Sequence, residues 1–91
     1  MEIVIEIIEP SRRISQVVKF NQAQIRIGRA WDNDFVITDA EIDAYHGLIE
    51  FDEQTETFRF SDLSSANGSF YQGKKVAEST IAEFGETLTL G

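Results

Sequence analysis

Cysteine is absent from the chain, so a disulfide scaffold and a thiolate metal site are both excluded. The same absence means that redox chemistry does not indicate a compartment. Histidine occurs once, at His46, and a His-based metal site would have no second imidazole or thiolate to complete it. Basic residues are scarce: eight Lys and Arg stand against sixteen Asp and Glu, for a net charge of −8. Nucleic-acid binding depends on neutralising phosphates with Lys and Arg, so the balance argues against it, and against docking on anionic lipid. The two basic doublets, Arg12-Arg13 and Lys74-Lys75, read as solvated turn residues rather than a patch. No segment approaches the roughly 20 apolar residues that a helical membrane span needs. The opening MEIVIEIIEP carries Glu2, Glu6 and Glu9 and has no basic leading region, unlike a signal peptide. There is no helical stripe, internal repeat or linker.

What remains is an ordinary globular composition, 42% hydrophobic and 26% charged, in 91 residues. That length allows one domain with one modest core. Apolar residues alternate with polar ones over short stretches, which is the period of a strand. Ile3, Ile5 and Ile7 share a face opposite Glu2 and Glu6. Pro10-Ser11 ends this strand. Ser15 to Phe20 follows with Val18 and Phe20 inward, then Gln24 to Ile27 with Ile25 and Ile27 inward. Phe35 to Thr38, His46 to Asp52, Thr57 to Ser61, Ser69 to Tyr71 and Gly85 to Leu90 continue the series. Ala77 to Glu83 reads as a loop. Many short strands separated by Gly, Asn and Asp predict an all-β sandwich.

The chain is organised around residues 25–73. Gly28-Arg29 closes an apolar alternation and opens the polar loop Trp31-Asp32-Asn33-Asp34. His46 opens a new apolar run. Asp62 to Phe70, DLSSANGSF, turns between two aromatic-rich strands. Each piece lies at a strand end, so a sandwich can gather them at one rim, where binding residues usually sit.

The order Gly-Arg, Asn-Asp, a valine-type strand, His, Asp-Leu-Ser, Asn-Gly and a downstream Gly-Glu resembles a forkhead-associated (FHA) domain. The resemblance covers nearly the whole chain. It implies a two-sheet antiparallel β-sandwich of about ten short strands, whose loops at one end bind phosphothreonine peptides. It also implies a final strand after GETLTLG, near the N-terminal strand. The chain is therefore expected to be one domain, residues 1–91, of a larger cytoplasmic protein, with an open sheet edge through which a homodimer could form.

Residue by residue, the resemblance places Arg29 on the phosphate. A guanidinium offers paired donors suited to phosphate, and the bland alternative is a surface ion pair with nearby acids. Asn67 matches the residue that holds the peptide backbone; alternatively, Asn67-Gly68 is a simple hairpin turn. Gly28, His46 and Gly68 match architectural positions. Three contact positions depart from the pattern. Asp43 stands three residues before His46, where the family usually has a Ser donor. An ionised carboxylate donates nothing and repels a phosphate, and it could also occupy Arg29. Ala44 and Ala66 lack the polar side chains common at their positions. Ser64 and Ser65 remain as donors or turn formers.

Trp31 reads as a cap over the sandwich edge, with a partner-facing role as the alternative. Asp39, Glu41, Asp43 and Glu50 fall on positions 1, 3, 5 and 12 of a calcium-loop spacing, but the required Gly is Ala44 and no helices flank it. No nucleophile-and-base motif or cofactor signature appears. The expected function is a non-catalytic interaction module of signalling type, without cofactor or metal. Its partner is a protein or phosphoprotein, and its phosphate pocket is weakened by Asp43, Ala44 and Ala66. The alternative is phosphothreonine binding through Arg29 and Asn67.

Overall fold

The computed structural model describes residues 2–91. Its strands are β1 (Ile3–Ile8), β2 (Ile14–Phe20), β3 (Gln24–Gly28), β4 (Phe35–Val36), β5 (Gly47–Asp52), β6 (Thr57–Asp62), β7 (Ser69–Tyr71), β8 (Lys74–Lys75), β9 (Ser79–Ala82) and β10 (Leu88–Leu90). One layer is a five-stranded sheet in the order β4-β3-β5-β6-β9. It is antiparallel apart from the short β3–β4 pair. The other layer comes in two hydrogen-bonded pieces, the β1–β2 hairpin and the sheet β10-β7-β8.

Alternation decides which side chains fill the space between layers. Ile25 and Ile27 of β3, Ile49 of β5 and Phe60 of β6 are buried together with Ile3, Phe20 and Phe35. Ile5, Ile7, Leu88 and Leu90 pack on them from the opposite layer. Phe20 and Phe35 meet with ring centroids 5.7 Å apart at 49°, one of the tilted geometries that aromatic pairs favour. Phe60 is fully buried, worth about 1.5–3 kcal/mol relative to exposure. It also fixes the residue opposite: a Cβ on Gly47 would lie 2.6 Å from its ring.

The structure extends the sequence reading in two places. Residues 79–82 form a strand, where the sequence suggests a loop. Thr80 and Ala82 are turned inward while Ile81 is exposed, so the usual apolar-in alternation is inverted and hidden. Lys74-Lys75 forms a two-residue strand rather than only a turn. It folds back on β7 through Gln72 and Gly73, both at positive φ, as a tight hairpin requires.

Candidate functional site

The connections after β3, β4 and β6 meet at one end of the sandwich. Gly28 makes the first contact there. A Cβ at this position would lie 2.2 Å from the Ala44 carbonyl oxygen, so only glycine lets the two loops close. Once closed, the Arg29 amide donates to the Asp43 carbonyl at 2.9 Å and the Ala30 amide to that of Ala44 at 3.1 Å. Asn33, buried, donates from Nδ2 to the carbonyls of Ala30 (2.9 Å) and Ala44 (2.7 Å). This clamp was hidden in the sequence, where Asn33 counts only as half of the Asn-Asp piece of the motif order and has no assigned role.

His46 fastens the third loop. It is fully buried. Its Nδ1 accepts from the Asp43 amide at 3.1 Å, so in the neutral ring Nε2 carries the proton. That nitrogen lies 3.0 Å from the Gly68 carbonyl and 3.1 Å from Ser69 Oγ. One imidazole therefore joins the β4–β5 and β6–β7 connections. Behind it, Asp62 Oδ1 accepts from the hydroxyls of Ser65 and Ser69, each at 2.6 Å, and Oδ2 accepts from the Ser65 amide at 3.0 Å. Burial pushes the Asp62 carboxyl up, but these bonds and the nearby His46 outweigh it and leave the pKa below the usual value.

Ser69, His46 and Asp62 thus come together, yet they are not wired as a catalytic triad. A triad needs the carboxylate on the imidazole nitrogen away from the serine. Here Ser69 donates to Asp62 itself, Asp62 lies 3.8 Å from the nitrogen that faces Ser69, and Ser69 is fully buried. The three residues act as a buttress.

On this buttress sit the candidate binding residues. Asp43 Oδ2 accepts a hydrogen bond from the Ala66 amide at 2.9 Å. Asn67 Nδ2 donates to both the carbonyl and the carboxylate of Glu41, at 3.0 Å each. Ser65 spends its hydroxyl on Asp62, so it is a turn former rather than a pocket donor. Ser64 supplies the positive φ that brings Ser65 round. Ala44 contributes only its backbone.

Arg29 is exposed. Among the described residues its guanidinium makes no hydrogen bond or ion pair. The expectation that Asp43 would pair with and occupy Arg29 is therefore corrected: the two touch through backbone, and the Asp43 carboxylate turns to Ala66 instead. Asn67-Gly68 is also not a hairpin turn. It carries the chain from β6 in one layer to β7 in the other, with Gly68 at φ 79° and the Lys75 stem lying over it.

Trp31 departs from expectation. It is 88% exposed and caps nothing. Its loop is held by the neighbouring residues: the Tyr45 hydroxyl donates to Asp32 at 2.9 Å, and that bond, with the charge of Asp32, raises the Tyr45 pKa. The four acids of the calcium-like spacing go to separate partners. Asp39 accepts the Glu41 amide, Glu41 holds Asn67, Asp43 holds Ala66, and Glu50 on β5 accepts from Gln24.

A family model described as the FHA domain matches residues 25–91. No curated protein matches the chain. Several solved structures do. Mycobacterium tuberculosis EmbR, solved in complex with a low-affinity phosphopeptide, is 25% identical with a TM-score of 0.75. That match covers 98% of this chain, which spans 22% of the EmbR chain. The FhaA FHA domain, complexed with the intracellular domain of Rv3910, is 26% identical with a TM-score of 0.73, covering 94% of this chain and 88% of that one. The FHA domain of CT664 from Chlamydia trachomatis shares the fold at 20% identity and a TM-score of 0.77, covering 99% and 86%.

Proposed function

Since this chain belongs to the FHA domain family, we propose that it is a non-catalytic protein-interaction module whose anion cradle is already furnished with its own carboxylate. The observation that carries this reading is the 2.9 Å bond from the Ala66 amide to Asp43. A backbone N–H on the rim is a donor that an incoming phosphate would use, and here an aspartate has taken it. Glu41 does the same to Asn67, the residue that resemblance assigns to the peptide backbone.

The energetics agree in direction. A phosphate brought to about 4 Å from Asp43 meets a repulsion of about 1 kcal/mol per unit charge in water, and about 4 at an effective dielectric of about 20. Arg29 works the other way, but a single exposed guanidinium gains little once screened. The partner is then a protein segment recognised mainly through shape and backbone. Trp31 and Tyr45 are the large exposed side chains beside the rim.

A second reading rests on one observation. The Arg29 guanidinium has no partner among the described residues and is therefore available to a phosphothreonine. The phosphopeptide complex of the similar EmbR structure lends it support.

Binding of a degenerate phosphothreonine peptide library against its unphosphorylated twin, at low salt, separates the two. The expected result is little difference between the libraries for the wild-type chain. Asp43→Ser should raise phosphate-dependent affinity about tenfold, or about 1.4 kcal/mol. Strong phosphate dependence in the wild-type chain would sink the proposal and establish the second reading.

A further inference from the structure

The β1–β2 hairpin carries aliphatic side chains on both faces. On the inner face, Ile3, Ile5, Ile7, Val18 and Phe20 meet the core. On the outer face the register places Val4 opposite Lys19, Glu6 opposite Val17 and Ile8 opposite Ile14. Val4, Ile8, Ile14 and Val17 are 49%, 49%, 51% and 55% exposed. Aliphatic residues on both sides of a strand pair are the pattern of one covered on both sides, and among the described residues only the inner side is covered. Four clustered aliphatic side chains are more than the scattered surface hydrophobics of an ordinary monomer.

The charges on that face indicate what covers it. Glu6 and Lys19 lie diagonally across the hairpin among the aliphatic residues. Neither has an ion-pair partner among the described residues. A two-fold interface must be self-complementary: if residue i meets residue j, then j meets i. One acid and one base at diagonal positions of the face meet that condition. The net charge of −8 opposes association of two copies as a whole, so the contact depends on the apolar residues and the opposite charges of this face.

We propose that the outer face of the β1–β2 hairpin is the contact face of a homodimer. Two copies pack sheet on sheet about a two-fold axis. Val4, Ile8, Ile14 and Val17 of each are covered by the other, and each Glu6 lies beside the second copy's Lys19. This places dimerisation on the hairpin's face rather than on an open sheet edge. A single hairpin face is small for an interface, so the association is weak and concentration-dependent.

Sedimentation equilibrium of the whole chain over a wide concentration range tests this. The wild-type chain should show a monomer–dimer equilibrium. Glu6→Lys alone and Lys19→Glu alone should each lower the association constant about tenfold or more, since each places like charges at both symmetric contacts. The double variant should restore association to near the wild-type value. Val17→Asp, at an exposed position, should abolish it while circular dichroism shows an intact fold. A wild-type monomer at the highest concentration, or single reversals without effect, or a double variant without recovery, would each overturn the proposal. The hairpin lies outside the three rim loops, so peptide binding reports on the rim separately.

Discussion

The Asn67 side chain is held by Glu41, with Nδ2 donating at 3.0 Å to both the carbonyl and the carboxylate of that residue. The amide that could clamp an incoming backbone is thereby satisfied from within. Glu41→Ala removes one of the two acceptors and a negative charge. It should raise affinity for peptides two- to tenfold, with or without phosphate, because one hydrogen bond to a charged group is worth about 1.5–3 kcal/mol and only part of it is released. Fluorescence anisotropy with paired peptides reads the effect, and unchanged affinity would mean that Asn67 does not contact the ligand.

His46 holds two loops from a fully buried position. His46→Ala leaves a cavity, strands the Asp43 amide and takes one of two donors from the Gly68 carbonyl, which keeps the Gly91 amide. The expected loss is about 3–5 kcal/mol. Urea unfolding should show a lower midpoint. A loss below about 1 kcal/mol would mean that water replaces the ring without strain.

Asp62 gives the fold an acid limit. Its pKa is lower folded than unfolded, so the folded state holds the charged form more strongly. Its contribution is complete above the usual carboxylate pKa and is lost as pH falls through the lowered folded value. Melting temperature should therefore drop steeply below about pH 4. Asp62→Asn should be less stable at neutral pH and show a shallower acid slope. Parallel slopes for the two proteins would refute the assignment.

At the alkaline end, the Tyr71 hydroxyl donates to Glu86 at 2.7 Å, and this bond leads the causes that push its pKa to about 12. A group whose pKa is raised by folding contributes stability below its unfolded value and loses it as pH climbs through the folded one. Ultraviolet titration of the phenolates should show one tyrosine ionising near 12 in the folded chain. Glu86→Gln should bring it down towards 10. Titration near the ordinary value in the wild-type chain would contradict the bond.

Particular residues show how far the sequence could be read. Ile25, Ile27, Ile49 and Phe60 alternate cleanly, and the structure buries all four. β9 was hidden because its apolar Ile81 points outward and its inner residues are small or polar. On the rim, the Asp43 carboxylate was identifiable as the misfit in the pocket, but its partner was not. The Ala66 amide arrives from a loop 23 positions away, and no local pattern encodes that meeting. The clamping role of Asn33 was hidden for the same reason: its acceptors Ala30 and Ala44 are backbone carbonyls, which carry no sequence signature. Trp31 misled in the opposite sense, because a large ring suggests burial and this one is presented to solvent.

The β1–β2 hairpin shares no ladder with any other strand among the described residues. Among the described residues, side-chain packing of Ile3, Ile5, Ile7, Val18 and Phe20 is what anchors it to the rest. Ladder bonds must break together, whereas a packed face can slip free alone, so the hairpin is suited to open as a separate cooperative unit. Its amides should exchange with solvent deuterium sooner than those of β3, β5 and β6, at a lower opening free energy. Whatever binds its outer face should then slow that exchange while leaving the five-stranded sheet untouched.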